Sequence, residues 1–515
     1  MTGRVDVVVV GAGPTGLALA CGLVEGGASV RVLDKAVGPA TTSRALGLQP
    51  RGAEVLDRLG ALGDLPDRSL GIANVAVHLD GRRAATLRVG QRTKLVTRPG
   101  LLVSQAEIES ALADRLLELG VPVEWGREVV NASQDTTGVG VEVAGQREVV
   151  RAGWLVGCDG AHSQVRKLAG IGFPGVPLIE RFLLADIHAD LPLPRDGVAV
   201  WLRRDRMLGA FPLPGADLWR LMAPVEPTPT PTAGTPPGAV LDTLIGLLRD
   251  EAGCASTTVR GTVWTSTFRV HRRLAETYRS GRIILAGDAA HIHSPFGGQG
   301  MNTGLGDAEN LAWKLALVLR DRAGVALLDT YQAERRPIAA DVLSSTSAMT
   351  GLVLGDNAPA RWVRDHLFVP LMDRPTIQRL IWEHASQLKV TYRNGPLGDQ
   401  RPRPLRWAPT GGTPQVGDRV PDLACQRSDG TRTRLHAELG GRWAFLRPAA
   451  VVGGTDEETA LERLGAEAVT VLEPIGTSAR LGMLVRPDGH LAWRSGLGRE
   501  SLDGWFGRFV ETGRL

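Results

Sequence analysis

Cysteine is scarce in this 515-residue chain, and the four present, Cys21, Cys158, Cys254 and Cys425, stand apart from one another. With no CxxC pair and no His/Cys cluster at ligand spacing, neither a disulfide framework nor a metal site is indicated. Lysine occurs only at Lys35, Lys94, Lys167, Lys314 and Lys389, so the net charge of +4 rests on arginines spread along the chain. The basic run that grips nucleic acid is missing, and no nucleic-acid partner is expected. No apolar stretch approaches the roughly 18 residues of a membrane span. The run over residues 7–10 is too short for a signal-peptide core and leads straight into a glycine turn. These absences point to a cytoplasmic protein with no membrane partner.

What is present describes an ordinary globular protein, 43% hydrophobic and 22% charged. Its length exceeds the roughly 250–300 residues at which a single core stops growing, so two or three domains are expected. The stretch that organises the rest is residues 281–315, GRIILAGDAAHIHSPFGGQGMNTGLGDAENLAWKL. It reads as a short buried strand, a corner at Gly287 and Asp288, a small-residue loop through Pro295, Gly297, Gly298 and Gly300, and a helix beginning near Asn302. Glycines let backbone approach a ligand closely, and a helix start offers unpaired N–H groups to an anion.

The N-terminus supplies a second part. A β-branched run over residues 5–10 precedes Gly11-Ala-Gly13-Pro-Thr-Gly16, an apolar helix and a second strand ending at Asp34. This is the strand, glycine turn, helix, strand and acid of a dinucleotide site. Gly11 makes the tight turn, Gly13 lets a pyrophosphate approach, Gly16 lets helix and strand pack, and Asp34 accepts from a ribose. Further on, residues 72–89 alternate like a hairpin about Asp80-Gly81, and Ser104 with Glu107 reads as a capping box. A third corner, Gly157-Cys158-Asp159-Gly160, leads to a helix containing Arg166. Strand-like runs from residue 173 to 268 suggest an inserted, antiparallel domain, with the Pro-rich stretch 227–237 as a surface loop inside it.

With GAGPTG and Asp34, GCDG leading to Arg166, and AGDAAH…P…GGQGMN over residues 286–302, the chain resembles the group A FAD-dependent aromatic monooxygenases. That family includes para-hydroxybenzoate hydroxylase, phenol hydroxylase and the tailoring hydroxylases of aromatic polyketides. YRNGPLGD (392–399) and RPDGHLAWR (486–494) are similar to the polyketide hydroxylase branch.

The resemblance implies an α/β fold: a Rossmann-like FAD-binding domain (1–72, 100–172 and 276–330) and an inserted antiparallel-sheet substrate domain (73–99 and 173–275). A helical segment (331–395) and a thioredoxin-like domain without CxxC (415–515) would follow. It implies FAD as cofactor, with NADPH or NADH as transient reductant, and hydroxylation of a phenolic, polycyclic aromatic by O2 through a flavin C4a-hydroperoxide. Gly11, Gly13, Gly16, Asp34, Arg44, Gln105, Asp159, Gly287 and Asp288 match cofactor positions, as do Pro295, Gly297, Gly298, Gly300, Met301 and Asn302.

The bottom-up chemistry needs no protein nucleophile or metal, since the cofactor carries the difficult step. His291 and His293 are the candidates for a catalytic base, against a plain packing role. Trp201, Phe211, Leu213, Trp219 and Met222 are candidates for a flat substrate wall, against plain core. Baeyer–Villiger insertion, antibiotic inactivation and, from another class, a non-catalytic flavin-binding assembly protein stay open, as does a homodimer.

Overall fold

The computed structural model describes residues 4–42, 45–93, 95–146, 149–204, 206–225, 237–255, 258–293, 298–354, 357–398, 414–448, 454–476, 481–496 and 500–510. Arg44, Pro295 and Gly297 lie outside these residues, as does most of the stretch 227–237.

The β-branched run Val5–Val10 becomes the middle of a mainly parallel sheet, flanked by Val30–Leu33 on one side and Val150–Gly157 on the other. Ile283–Leu285 pairs parallel to Val150–Gly157. Val7, Val8 and Val9 are fully buried, as a strand covered on both faces requires. The helix Pro14–Glu25 and the long helix Gly300–Leu319 pack together over this sheet, so the two glycine-rich stretches of sequence end as neighbours.

A second sheet has eight strands. Gly175–Ala189, Val259–Leu274, Leu218–Val225, Arg206–Pro212 and Gly197–Arg203 are antiparallel neighbours, and Asn74–Leu79 joins parallel to Gly197–Arg203. The stretches near residues 74–88 and 175–274 therefore meet in one sheet. The expected hairpin is present, with Asp80 and Gly81 both at positive φ between Asn74–Leu79 and Arg82–Arg88. The short strand His291–Ile292 pairs with Val259–Leu274, so the chain leaving the Gly287 corner enters this second sheet directly.

A third, six-stranded mixed sheet is built from the C-terminal residues. Trp443, Phe445 and Trp505 pack against Trp313 and Leu317 of the long helix. Beside this apolar contact runs a chain of buried charges. Arg486 donates to both carboxylate oxygens of Glu334, at 2.9 and 3.0 Å, and Lys314 donates to the same group at 2.8 Å. Asp488 accepts from Arg486 and from Trp313 Nε1. On the other flank Arg51 reaches Asp488 O at 2.7 Å and Glu309 at 3.0 Å, and Arg419 pairs with Glu54. Isolated surface pairs contribute little, but breaking a buried network is expensive. Among the described residues no single helix is long and apolar enough to cross a membrane.

The long helix begins at Gly300, near Asn302 as expected. One local expectation needs correction. The capping box is half formed: Ser104 Oγ accepts from Ala106 N at 3.2 Å, but the Glu107 carboxylate is engaged by Arg68 at 2.6 Å. A strong cation within reach outcompetes a neutral backbone donor.

Candidate cofactor site

Three corners of the chain converge at the start of the helix Pro14–Glu25. Gly11 N–H bonds to Leu33 O at 2.8 Å, Cys158 N–H to Val10 O at 2.7 Å, and Ala286 N–H to Gly157 O at 3.0 Å. Gly11 takes φ +105°, and a Cβ there would collide with the Cys158 carbonyl. A Cβ on Gly16 would overlap the Gly11 carbonyl. Gly13 is the helix N-cap and offers no side-chain cap, followed by Pro14. The result is a bare helix start next to an acid, since Asp34 Oδ2 accepts from Ala12 N at 2.7 Å and Oδ1 from Ala36 N at 2.8 Å. Each carboxylate oxygen keeps acceptor capacity beyond that one bond.

Thr15, not singled out from the sequence, locks the Gly287 corner on. A Cβ at Gly287, φ +61°, would lie 2.6 Å from Thr15 Oγ1, and Thr15 also fits against Gly304. Asp288 is exposed on the turn Gly287–Ala289. Beyond it, the long helix begins at Gly300 with no side-chain cap from Gln299, so its first N–H groups have no intrahelical acceptor. Gly298 has φ +59°, His293 packs against Gly300, and Met301 packs on the core of the first sheet.

Asn302 points away from this opening. Its Oδ1 accepts from Gln49 N at 2.9 Å, and its Nδ2 donates to Gly298 O at 2.9 Å and Gly47 O at 3.3 Å. It clamps the strand Leu46–Leu48 and the loop after it to the helix start. Asn302→Ala should therefore cost about 2 kcal/mol, the usual penalty for stranding buried polar partners. Thermal melting together with a several-fold rise in the FAD dissociation constant would register the loss.

Two of the candidate residues are tied into the frame of the site. The Asp159 carboxylate accepts from Ser163 Oγ at 2.5 Å, Gln164 N at 2.7 Å and Val165 N at 3.1 Å, so with the N-cap Ser163 it holds the start of the helix Gln164–Leu168. His291, 0% exposed, meets Asp307 at 2.6 Å, and Asp307 also takes Arg335 Nε at 2.7 Å and Gly287 N at 3.1 Å. Burial alone would raise the Asp307 carboxyl, but His291 and Arg335 outweigh it and hold it below the usual range. His291 is thus a brace under the Gly287 corner. Asp307 carried no signal beyond an acid within a run of small residues.

The expected substrate wall divides by strand parity. Trp201 and Trp219, with Leu183, Leu208 and Leu221, form a core packed on the helix Pro237–Ala252. Leu213 is buried at a strand end, its carbonyl taken by Arg195. Phe211 and Met222 point to the opposite face. That face also carries a buried pair missed from the sequence: Arg220 donates to Asp186 at 2.8 and 2.9 Å, and Trp264 Nε1 donates to the same carboxylate at 2.6 Å. No spacing announces such a pair, because cross-strand register brings it together.

The cradle suits a flavin dinucleotide: glycine corners that admit backbone contact, an acid with acceptor capacity to spare for a ribose, a second, exposed acid, and an uncapped helix start for a negative ring edge. Comparison with known proteins agrees. A family described as FAD binding domain matches residues 4–346, and one described as aromatic-ring hydroxylase, C-terminal, matches residues 413–508. The 6-methylpretetramide 4-monooxygenase of Streptomyces rimosus is 40% identical over 358 residues, 69% of this chain and 63% of that protein. A rifampicin monooxygenase of Streptomyces venezuelae is 35% identical over 98% of both chains. The solved structure of the anhydrotetracycline hydroxylase OxyS from Streptomyces rimosus superposes with a TM-score of 0.77 at 32% identity, covering 99% of both. The chain belongs to this FAD-binding family and is a FAD-dependent aromatic monooxygenase.

Proposed function

We propose that the enzyme uses NAD(P)H and O2 to hydroxylate a phenolic, polycyclic aromatic of the polyketide type. The observation that carries this reading is the sheet face bearing Phe211 and Met222, which belongs to the same sheet that His291–Ile292 enters directly from the Gly287 corner. FAD, when bound, accepts hydride from the nicotinamide and activates O2. The chain's own part is to hold and orient. Gly11, Gly13, Gly16 and Asp34 would take the ADP half, with Gln105 beside them. Asp288 would bind the ribityl region, and the helix start at Gly300, Met301 and Asn302 would stabilise negative charge on the reduced ring. Phe211 and Met222 would stack a flat substrate above that ring and exclude water.

Residues 1–72, 100–172 and 276–330 would form the cofactor domain and 73–99 with 173–275 the substrate domain. Residues 415–515, lacking CxxC, would form a thioredoxin-like domain that packs instead of exchanging thiols. The likeness to a rifampicin monooxygenase supports a second reading, oxygenation that inactivates an antibiotic.

Incubation with FAD, NADPH, isotopically labelled O2 and a panel of phenolic polycycles is expected to give a product carrying one O2-derived oxygen. NADPH oxidation that transfers oxygen to no member of the panel would overturn the reading. Parity supplies a sharper measurement. Phe211→Ala should raise KM about tenfold with little change in melting temperature, whereas Trp219→Ala should cost about 3–5 kcal/mol of stability as a core cavity. Equal melting behaviour of the two variants would contradict the assignment.

A further inference from the structure

Glu109 sits where an acid is least expected. It lies one turn after Gln105 on the helix Gln105–Glu118, half-buried, and its Oε1 accepts from Gln105 Nε2 at 2.7 Å. A Cβ built on Gly13 would find Glu109 Oε1 at 4.0 Å. Gly13 is the helix N-cap, the point at which this kind of fold lets a pyrophosphate reach the backbone. The carboxyl of Glu109 therefore borders the place of the most negative part of FAD.

The charges around it make an anion costly. Burial raises the Glu109 carboxyl first, Asp34 raises it further, and the Gln105 amide only partly opposes them. Asp34 is the charged group acting on it, Gln105 is neutral, and Gly13 of the first helix brings no side chain to it. A dianionic pyrophosphate adds repulsion of the same sign. A neutral carboxylic acid, by contrast, has one O–H to donate.

We propose that Glu109 binds FAD as a carboxylic acid, with Oε1 accepting from Gln105 and Oε2–H donating to a pyrophosphate oxygen. The proton comes from solvent when the free enzyme's Glu109 is ionised, so FAD binding and proton uptake are one event. This inference rests on FAD occupying the cradle as proposed above.

The sign follows from linkage. FAD raises the Glu109 pKa, so between the free and bound values the FAD dissociation constant rises about tenfold per pH unit, and it is flat on either side. The test uses the full chain stripped of flavin, titrated with FAD by fluorescence quenching from about pH 5.5 to about pH 9, with a pH-indicator dye reporting proton uptake in weak buffer. The expected result is uptake of a fraction of a proton and a sloping profile for the native chain. Glu109→Gln, whose amide can donate without titrating, should bind FAD within about threefold of the native low-pH affinity, with no slope and no uptake. Glu109→Ala should bind at least about tenfold more weakly at every pH. A flat native profile without uptake, or a slope that survives in Glu109→Gln, overturns the role of Glu109 while leaving the cradle intact. A native chain that binds no FAD at any pH overturns both.

Discussion

Gly16→Ala is expected to yield protein that purifies without yellow colour. The added methyl would overlap the carbonyl of Gly11 and approach Cys158 Cβ to 3.2 Å. Neither neighbour can step aside. The Gly11 carbonyl is backbone in a residue already held at φ +105°, anchored by its N–H to Leu33 O. The helix Pro14–Glu25 must instead lift from the sheet, carrying its bare N-terminus away from the cradle. An ångström of displacement at a preorganised anion site is costly, and a loss of at least about 100-fold in FAD affinity, near 2.7 kcal/mol, is the expected result. Flavin absorbance relative to protein absorbance, followed by titration with added FAD, measures it. Gly38→Ala is the control: no heavy atom lies within 4 Å of a Cβ there, and full flavin content should be retained. If both variants retain flavin equally, the close packing of helix and strand is not what sets the cradle.

That prediction was available from the sequence because Gly16 is demanded by the carbonyl of Gly11 within the same GAGPTG motif, whereas Gly11 also meets the distant Cys158. Local necessity leaves a local mark. The same holds for Asp80-Gly81, where two positive-φ residues fit a two-residue hairpin, and for the helix near Gly300, recognisable from its small residues. The substrate wall was harder. Trp201, Trp219, Phe211 and Met222 read as one apolar group, yet Trp219 and Met222, three positions apart on one strand, face opposite sides of the sheet. The period of two separates faces within a strand, but which face meets the helix Pro237–Ala252 depends on where that helix folds back.

Long-range polar pairs were hidden for a related reason. Asp186 and Arg220 are adjacent only because antiparallel register puts them opposite each other. Asp159 matches a cofactor position through the GCDG motif, and the structure adds that its carboxylate also caps the helix after that corner. His291 stood between a packing residue and a catalytic base, and no spacing marked its partner Asp307, sixteen residues on.

The widest of these hidden connections is the charge chain between the long helix and the C-terminal sheet, and Glu334→Gln should expose its weight. Glu334, 3% exposed, is the carboxylate shared by Lys314 and Arg486. Burial would raise its pKa, but Arg486 and Lys314 prevail and bring it down to about 2. Lys314 pays for the arrangement: burial lowers it to about 8 against the pull of Glu334, with Arg486 adding to the lowering. Replacing the carboxylate by an amide keeps the shape but leaves two buried cations facing each other with less counter-charge. Breaking one partner of a buried network costs about 3–5 kcal/mol, which should lower the first thermal transition by about 5–10 °C. Limited proteolysis should then cut between residues 395 and 414 sooner than in the native chain. The exposed Glu467, 3.9 Å from Arg320, supplies the contrast, since Glu467→Gln should change stability by less than about 1 kcal/mol. The pH profile adds a sign. A carboxyl depressed from 4.5 to about 2 contributes stability that is fully present above about pH 4.5 and is lost as pH falls toward 2. The native chain should therefore lose melting temperature steeply across that window, and Glu334→Gln, already without the contribution, should lose less. Parallel acid profiles for the two proteins would mean that the C-terminal sheet is held by Trp313, Trp443 and Trp505 and not by charge.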